Sequence, residues 1–485
     1  LLGIVAFAVI CALPRLTHSL SIDEPFTANI IQLPWPQFYE AFKQDNAIVP
    51  HYALLKVWAS LFGESEVALR LPSLMFFCAA IVLIGLSGRK AFGWHGGLLA
   101  AALLASSIPL GTVYATNARP YAMVLFLMAC AVWLGITLHL QPARRGWFLL
   151  VLTLCLGLLT HSIFLFFLAV CLVAVLLVGR QRLKLWVLCS AIAAAAYLVL
   201  MWDLLRATLQ LPSLAWLAPP TVRDLAQAVL MLWGLPKTLL LVAVLAGLVL
   251  YRRTDLWQRL SPRMVIVALL AGLIGLGLPF VQSLVAKPVF FASRTPIIIF
   301  PAACLAVAYA LHQLAPRWVQ WAVVGLMGLG SLASVAQDFR AGDPWPARTS
   351  VQTVLAQTQC GDAIVAAGLS YSEVQYYLRR LNADECLQAL PFPATVALHP
   401  GWVYVQGELQ NATRLSAEAQ STAHQLAQKR AQHKRVFLFY DSGRDFGRPR
   451  EVIDFAKQAL DAQFGAPQTL HLRGSFFDAV LVYGN

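Results

Sequence analysis

Charge is scarce in this sequence. Of 485 residues only 12% are Asp, Glu, Lys or Arg, against roughly 25% in an ordinary soluble domain. The remainder leans apolar, at 59% hydrophobic residues with a mean hydropathy of +0.68. A single large soluble core does not account for that balance, because several nearly uncharged runs exceed the roughly 18 apolar residues that mark a membrane-spanning helix. Other signals are missing too. There is no GxGxxG and no P-loop, so no nucleotide is assigned. No Cys or His spacing resembles a zinc site, and no internal repeat is apparent. Seven of the nine cysteines (Cys11, Cys78, Cys130, Cys155, Cys171, Cys189 and Cys304) lie in apolar runs, where they act as small hydrophobes. Cys360 and Cys386 alone fall in a polar part of the chain, in an oxidising compartment that permits a disulfide without requiring one.

Acidic residues are nearly absent from one set of turns. Arg89, Lys90, Arg144, Arg145, Arg180, Arg182, Lys184, Arg252, Arg253, Arg259, Arg263 and Arg317 are faced there by Asp255 alone. This is the positive-inside pattern of cytoplasmic loops. The net charge of +13 therefore reports topology, and no nucleic-acid site is read from it.

The apolar runs predict about eleven transmembrane helices, near 1–14, 67–87, 96–113, 121–140, 147–160, 162–179, 185–203, 235–251, 264–283, 294–312 and 318–336. Residues 1–14 also fit a cleaved signal peptide, but the alternation of later loops favours a first span. The stretch Trp147–Gly179 tests the scheme. It is about 50 Å long as a helix, too long for one span, and basic clusters flank both ends. An even number of crossings follows, with the turn near Thr160-His161. An odd total leaves the N-terminus cytoplasmic and all residues after 336 outside. Two outer segments are too long for simple turns: 15–66, and 204–234, in which "VRDLAQAVLMLWG" reads as a helix lying on the membrane surface. Loops of such length are usually functional.

Composition changes near 341. "DAIVAAG", "WVYVQGE", "RVFLFYDSG" and "FDAVLVYG" read as strands, alternating with helical segments near 349–358, 372–381, 411–434 and 449–463. The predicted organisation is a polytopic α-helical membrane domain over 1–340 and a small extracytoplasmic α/β domain over 341–485.

Ionisable groups that could carry chemistry collect at one boundary of this topology. Asp23 and Glu24 are adjacent carboxylates just outside the first span. Such a carboxylate can accept a proton from a hydroxyl or hold a metal ion, although acids also favour exposed loops for no other reason. "DNAIVPHYALLKVW" offers His51, Tyr52 and Lys56, either to an anionic group or as interfacial anchors. "YATNARPYA" supplies Arg119 and Tyr121, and "AKPVFFASRTPIIIFP" supplies Lys287 and Arg294. Arginine's planar fork suits phosphate; snorkelling to the interface is the plainer alternative. His161 joins them, although a lone histidine is more often structural. Carboxylates converging with cations at one membrane face are what transfer from a lipid-linked phosphate ester to a hydroxyl requires: a base for the acceptor and cations for the departing phosphate.

On these residues the chain resembles the bacterial protein-mannosyltransferase-like and aminoarabinose-transferase-like glycosyltransferases of the GT-C class. "PHYALLKVWASLFGESEVALRLPSLMFF" is similar to the family's His-Pro-Pro-x-Tyr…Lys-x-Trp…Phe-Gly…Arg-x-Pro-Ser segment. "ATNARPYA" resembles its Gln-Glu-x-Arg-x-Tyr turn, "LLTHS" its Thr-His-Tyr turn, and "KPVFFASRTPIIIFPA" its Arg-Tyr-Leu segment. Val49-Pro50-His51, Thr116-Asn117 and Thr295 depart from those patterns. The resemblance implies a bacterial inner-membrane enzyme with its C-terminal domain periplasmic. It would move a sugar, with inversion, from a polyprenyl-phosphate carrier to a lipid, glycan or protein hydroxyl. Asp23 is the implied base with Glu24 as companion. Arg119, Arg294, Lys56 and His161 are implied near the donor phosphate, with His51, Tyr52, Tyr121 and Lys287 around the substrates. No cofactor is assigned, and a divalent metal stays open. Two other classes compete: a transporter or flippase, which would place its ionisable groups near the bilayer midplane, and a non-catalytic envelope assembly protein.

Overall fold

A computed structural model describes residues 1–485 except 21–22, 43–48, 211–217, 287, 388, 398–404, 430–434, 442–448 and 485. Helices occupy each interval that the apolar runs mark. Five are long and apolar enough to cross a membrane: Glu66–Ala105, Tyr121–Leu140, Arg180–Leu200, Pro262–Val285 and Arg317–Ala341. Leu2–Leu16, Phe164–Val178 and Phe300–Leu314 are shorter apolar helices beside them.

Glu66–Ala105 is 40 residues long, about 60 Å and thus twice a hydrocarbon core. It is broken at Phe92 (φ −147°, ψ 24°) and Gly93 (φ 90°, ψ 169°), next to the basic Arg89-Lys90. Two antiparallel arms result, the two spans expected there. They lie so close that a Cβ on Gly97 would stand 2.4 Å from the Gly85 carbonyl oxygen. The second arm stops at Ala105, short of the expected 113. Ser106, Ser107 and Pro109 turn the chain there, because proline cannot continue a helical ladder, and the Ser107 hydroxyl donates to the Leu232 carbonyl at 2.5 Å. The expected helix from 294 likewise begins only at Phe300, after a 3-10 turn Thr295–Ile298 that contains Pro296. Trp147–Gly179 divides as predicted, into Arg144–Thr160 and Phe164–Val178 with the turn at His161.

Both long segments expected on the outer side contain helices among the described residues. The first holds helices Glu24–Ile30, Trp35–Phe42 and Val49–Phe62. The second holds Trp202–Gln210 and Val222–Leu230, and the latter makes an 83° bend with Leu235–Tyr251. That bend, with Val222 exposed and Ala228 buried, fits a helix lying across the bundle end.

The C-terminal part is a five-stranded sheet. Its strands are β1 (Ala363–Ala367), β2 (Ala389–Phe392), β3 (Val436–Tyr440), β4 (Gln468–His471) and β5 (Ala479–Tyr483), in the order β2-β1-β3-β5-β4. β2, β1 and β3 run parallel, while β5 is antiparallel to both β3 and β4. Three of the four predicted strands are present. The fourth is corrected: within "WVYVQGE", Val405–Leu409 is helical, and 402–404 lie outside the described residues. β2 and β4 were not predicted. Both are four-residue edge strands, and β2 contains Pro391, which an edge tolerates. Cys360 and Cys386 form a disulfide with a Cα–Cα distance of 5.2 Å.

Candidate active site

Asp23 is the N-cap of helix Glu24–Ile30, which has proline at its first turn. Asp is a favoured N-cap because its side chain usually accepts from the first turn's N–H groups. Here the residue is αR (φ −83°, ψ −11°) and makes no such capping bond. Its carboxylate is directed instead to two arginines from elsewhere in the chain. Arg294 Nη2 donates to Asp23 Oδ2 at 3.1 Å, and Arg119 Nε stands 3.9 Å from the same oxygen. Arg119 follows the turn Thr116–Ala118, and Arg294 precedes the 3-10 turn ahead of Phe300–Leu314. Residues far apart in sequence thus meet at the ends of separate helices.

Arg119 is 9% exposed, whereas Asp23 and Arg294 retain 22% and 31%. One cation is therefore fixed in the wall while the acid and the other cation can meet a ligand. Arg119 Nη1 donates to the Tyr52 hydroxyl at 2.7 Å and to Thr27 Oγ1 at 3.3 Å, which orients its fork. Arg294 lies 5.4 Å over the Tyr121 ring and 4.8 Å over Phe291. Tyr121 contacts Tyr114 and His161 with centroids 4.6 and 5.6 Å apart, and the Tyr114 hydroxyl donates to the Ser293 carbonyl at 2.7 Å. Among the described residues, two guanidinium charges against one carboxylate leave the cluster in positive excess, suited to an anion.

Of the other predicted residues, Tyr52, Tyr121 and His161 border the cluster, and the rest fall elsewhere. Glu24 turns inward and is 2% exposed. Its oxygens accept from Arg70 Nε at 2.8 Å and Nη2 at 2.6 Å, and from the Ala118 backbone N–H at 2.9 Å. Lys56 Nζ donates to the carbonyls of Ile31 and Leu33 at 2.6 and 2.8 Å, closing the end of helix Glu24–Ile30, and packs on Trp35 and Phe38. Lys287 lies outside the described residues. His161 accepts from the Ile163 N–H through Nδ1 at 3.1 Å. Burial, and then the charges of Arg294 and Arg119, depress its pKa, so it faces the cluster as a neutral imidazole. Among the described residues no group of three or more His, Cys, Asp or Glu side chains is arranged to hold a metal.

His51 is 2% exposed, and its Nδ1 has no hydrogen-bond partner among the described residues. Burial, and secondarily the Arg119 charge, push its pKa from 6.5 down to about 3. The folded state therefore holds His51 neutral where the unfolded chain would protonate it. Stability from this source is fully present above pH 6.5 and is lost as pH falls toward 3, at about 1.4 kcal/mol per pH unit. Acidification from pH 7 to 5 is expected to cost about 2 kcal/mol through His51, read as a falling Tm in detergent. His51→Gln should flatten that slope.

Sequence reasoning did not single out Arg70. The available signal was the "Arg-x-Pro-Ser" element, in which it is the arginine. It is 3% exposed and, besides Glu24, donates to the carbonyls of Arg15, Leu16, His18 and Ser19. Those are the orphan acceptors at and beyond the end of the first helix.

The fold is ArnT-like, of the GT-C type: a helical bundle with helices between its first apolar helix and Glu66–Ala105, and a small α/β domain at the C-terminus. The chain is similar over nearly its whole length to the crystal structure of ArnT from Cupriavidus metallidurans in the apo state. Identity is 14% and the TM-score 0.60, with 99% of this chain and 97% of that chain covered. The same protein bound to undecaprenyl phosphate matches with a TM-score of 0.59 at the same identity and coverage. The family model described as Dolichyl-phosphate-mannose-protein mannosyltransferase matches residues 45–202. That interval contains Tyr52, Arg70, Arg119, Tyr121 and His161; Asp23, Glu24 and Arg294 lie outside it. No curated protein sequence matches the chain.

Proposed function

We propose that this protein is an inverting glycosyltransferase that moves a sugar from a polyprenyl-phosphate carrier to a hydroxyl acceptor at the outer face of the cytoplasmic membrane. The observation that carries the reading is the Asp23 carboxylate set between Arg119 and Arg294. The anionic end of the donor takes up the two guanidinium groups and frees the carboxylate. Asp23 accepts the acceptor's proton as the hydroxyl oxygen bonds to the anomeric carbon. The carbon–oxygen bond to phosphate breaks on the opposite face, and its electron pair leaves on a phosphate oxygen held by Arg119 and Arg294. A phosphate already anionic needs cations more than a proton donor. Undecaprenyl phosphate, which ArnT holds in its lipid-bound structure, supplies the carrier chemistry. The apolar chain would lie between helices while the headgroup meets the cluster. Tyr52 and Thr27 orient Arg119, Tyr121 and His161 line the headgroup space, and Glu24 anchors the acid's helix.

The transporter reading asks for charges at mid-bilayer. Asp23, Arg119 and Arg294 instead stand at helix ends, which favours interfacial chemistry. The test is purified protein in proteoliposomes given labelled polyprenyl-phosphate sugar with membrane lipid extract as acceptor, read as release of polyprenyl phosphate and inversion at the anomeric carbon. Arg294→Ala is expected to raise the donor KM by about 30-fold, because truncating one partner of a close charge pair costs roughly 2–5 kcal/mol. An unchanged donor KM counts against the phosphate assignment.

A further inference from the structure

We infer that the C-terminal α/β domain positions the catalytic acid, by gripping the chain on both sides of Asp23. The inference rests on the reading of Asp23 as the base.

Three contacts bracket that residue. On one side the Leu20 N–H donates to the Tyr377 hydroxyl at 2.6 Å. On the other, Asn29 Nδ2 donates to the Ser372 carbonyl at 2.9 Å, and Asn29 Oδ1 accepts from Arg379 at 3.2 and 3.3 Å. Between them Phe26 stacks on Phe476, with centroids 5.8 Å apart at 27°, and forms a small buried cluster with Leu369. Ser372, Tyr377 and Arg379 belong to one helix, Ser370–Arg380. That helix is also held to the membrane domain outside the acid's helix. Arg379 Nη2 donates to Glu64 Oε2 at 2.9 Å, and the Tyr376 hydroxyl donates to the Glu64 carbonyl at 2.7 Å. The domain is thus braced on the start of helix Glu66–Ala105 while it holds Glu24–Ile30.

The place of the grip is informative. β1 pairs with β2 on one side and β3 on the other, all parallel, so strand order reverses at β1. Open α/β sheets bind ligands at such a point, outside the carboxyl ends of the strands. Leu369 stands two residues after the end of β1, and Phe476 precedes β5, whose Ala479 pairs with Tyr440 at the carboxyl end of β3. The position that a ligand would take is filled by Phe26, three residues after Asp23. The domain binds a piece of the membrane domain's own active site.

Asp23 opens helix Glu24–Ile30 as its N-cap, so its aim follows how that helix is seated. A displacement of about 1 Å can cost on the order of 100-fold in rate. Loosening the grip should therefore lower kcat and leave donor binding intact, since Arg119 and Arg294 are carried by other elements.

The test uses the full-length protein in proteoliposomes, with kcat and donor KM for labelled polyprenyl-phosphate sugar and Kd for polyprenyl phosphate. Phe476→Ala and Tyr377→Phe are expected to lower kcat by roughly 10- to 100-fold with KM and Kd within about twofold, and Phe476→Tyr should recover most of the rate. Tyr377→Phe removes one hydroxyl and keeps the fold even if Phe476→Ala does not. Rates within about twofold of wild type for both variants, alongside an inactive Asp23→Asn, overturn the inference and leave the base assignment standing. Parallel loss of kcat and polyprenyl phosphate binding overturns it too, since that is general unfolding. A fully active Asp23→Asn removes the base assignment, and the inference with it.

Discussion

Asp23→Asn is expected to lower kcat by about 1,000-fold while polyprenyl phosphate still binds. The substitution keeps the side chain's shape and one oxygen that can accept from Arg294 Nη2, now 3.1 Å away, so the cluster should keep its geometry. The amide cannot take a proton from the attacking hydroxyl. Positioned bases contribute about 10²- to 10⁴-fold, and 1,000-fold corresponds to about 4 kcal/mol of barrier. The donor site loses a negative charge and gains net attraction for phosphate, so Kd for polyprenyl phosphate should hold steady or tighten. This split distinguishes a base from a structural counter-ion, whose loss would weaken folding and binding together. Asp23→Ala is the less clean probe, because it leaves Arg119, only 9% exposed, facing a void. Transfer by Asp23→Asn within a few-fold of wild type would remove the proposed mechanism.

The sequence carried the meeting of Asp23, Arg119 and Arg294 only as a shared boundary. Basic turns on one side and apolar runs of spanning length put all three at the same membrane face. Which of the candidates at that face touch one another is a matter of helix packing, and periodicity does not encode it. His51 and Lys56 show the cost. Both residue types favour an anion or an interface, yet one is a buried neutral imidazole and the other closes a helix end through the Ile31 and Leu33 carbonyls. Glu24 was legible as an acid beside an acid, but its inward turn depends on Arg70, 46 residues away. In the soluble domain, apolar β1, β3 and β5 stood out because they are buried. The polar edge strand β4 left no alternating apolar face to read, and "VQGEL" folded as helix despite the strand-like run before it.

The largest loss of stability is expected at Arg70. Arg70→Met should cost about 3–5 kcal/mol, because removing one partner of a buried pair leaves the other charge uncompensated. The remaining charge is Glu24, 2% exposed, which also accepts from the Ala118 backbone N–H at 2.9 Å. The same substitution strips a donor from the carbonyls of Arg15, Leu16, His18 and Ser19, where methionine offers nothing in exchange. The measurement is Tm and monodisperse yield in detergent, without substrate. Glu24→Gln should cost less than Arg70→Met, since the amide can still accept from the guanidinium and those four carbonyls keep their donor. Combining the two should cost less than the sum of the separate losses, since the second change no longer strands a charge. Additive losses would mean that Glu24 and Arg70 act separately. Less-than-additive losses would make the pair the joint that fastens the acid's helix to the first two membrane helices, which is why two adjacent carboxylates can serve such different ends: Glu24 is held in the protein so that Asp23 can face out of it.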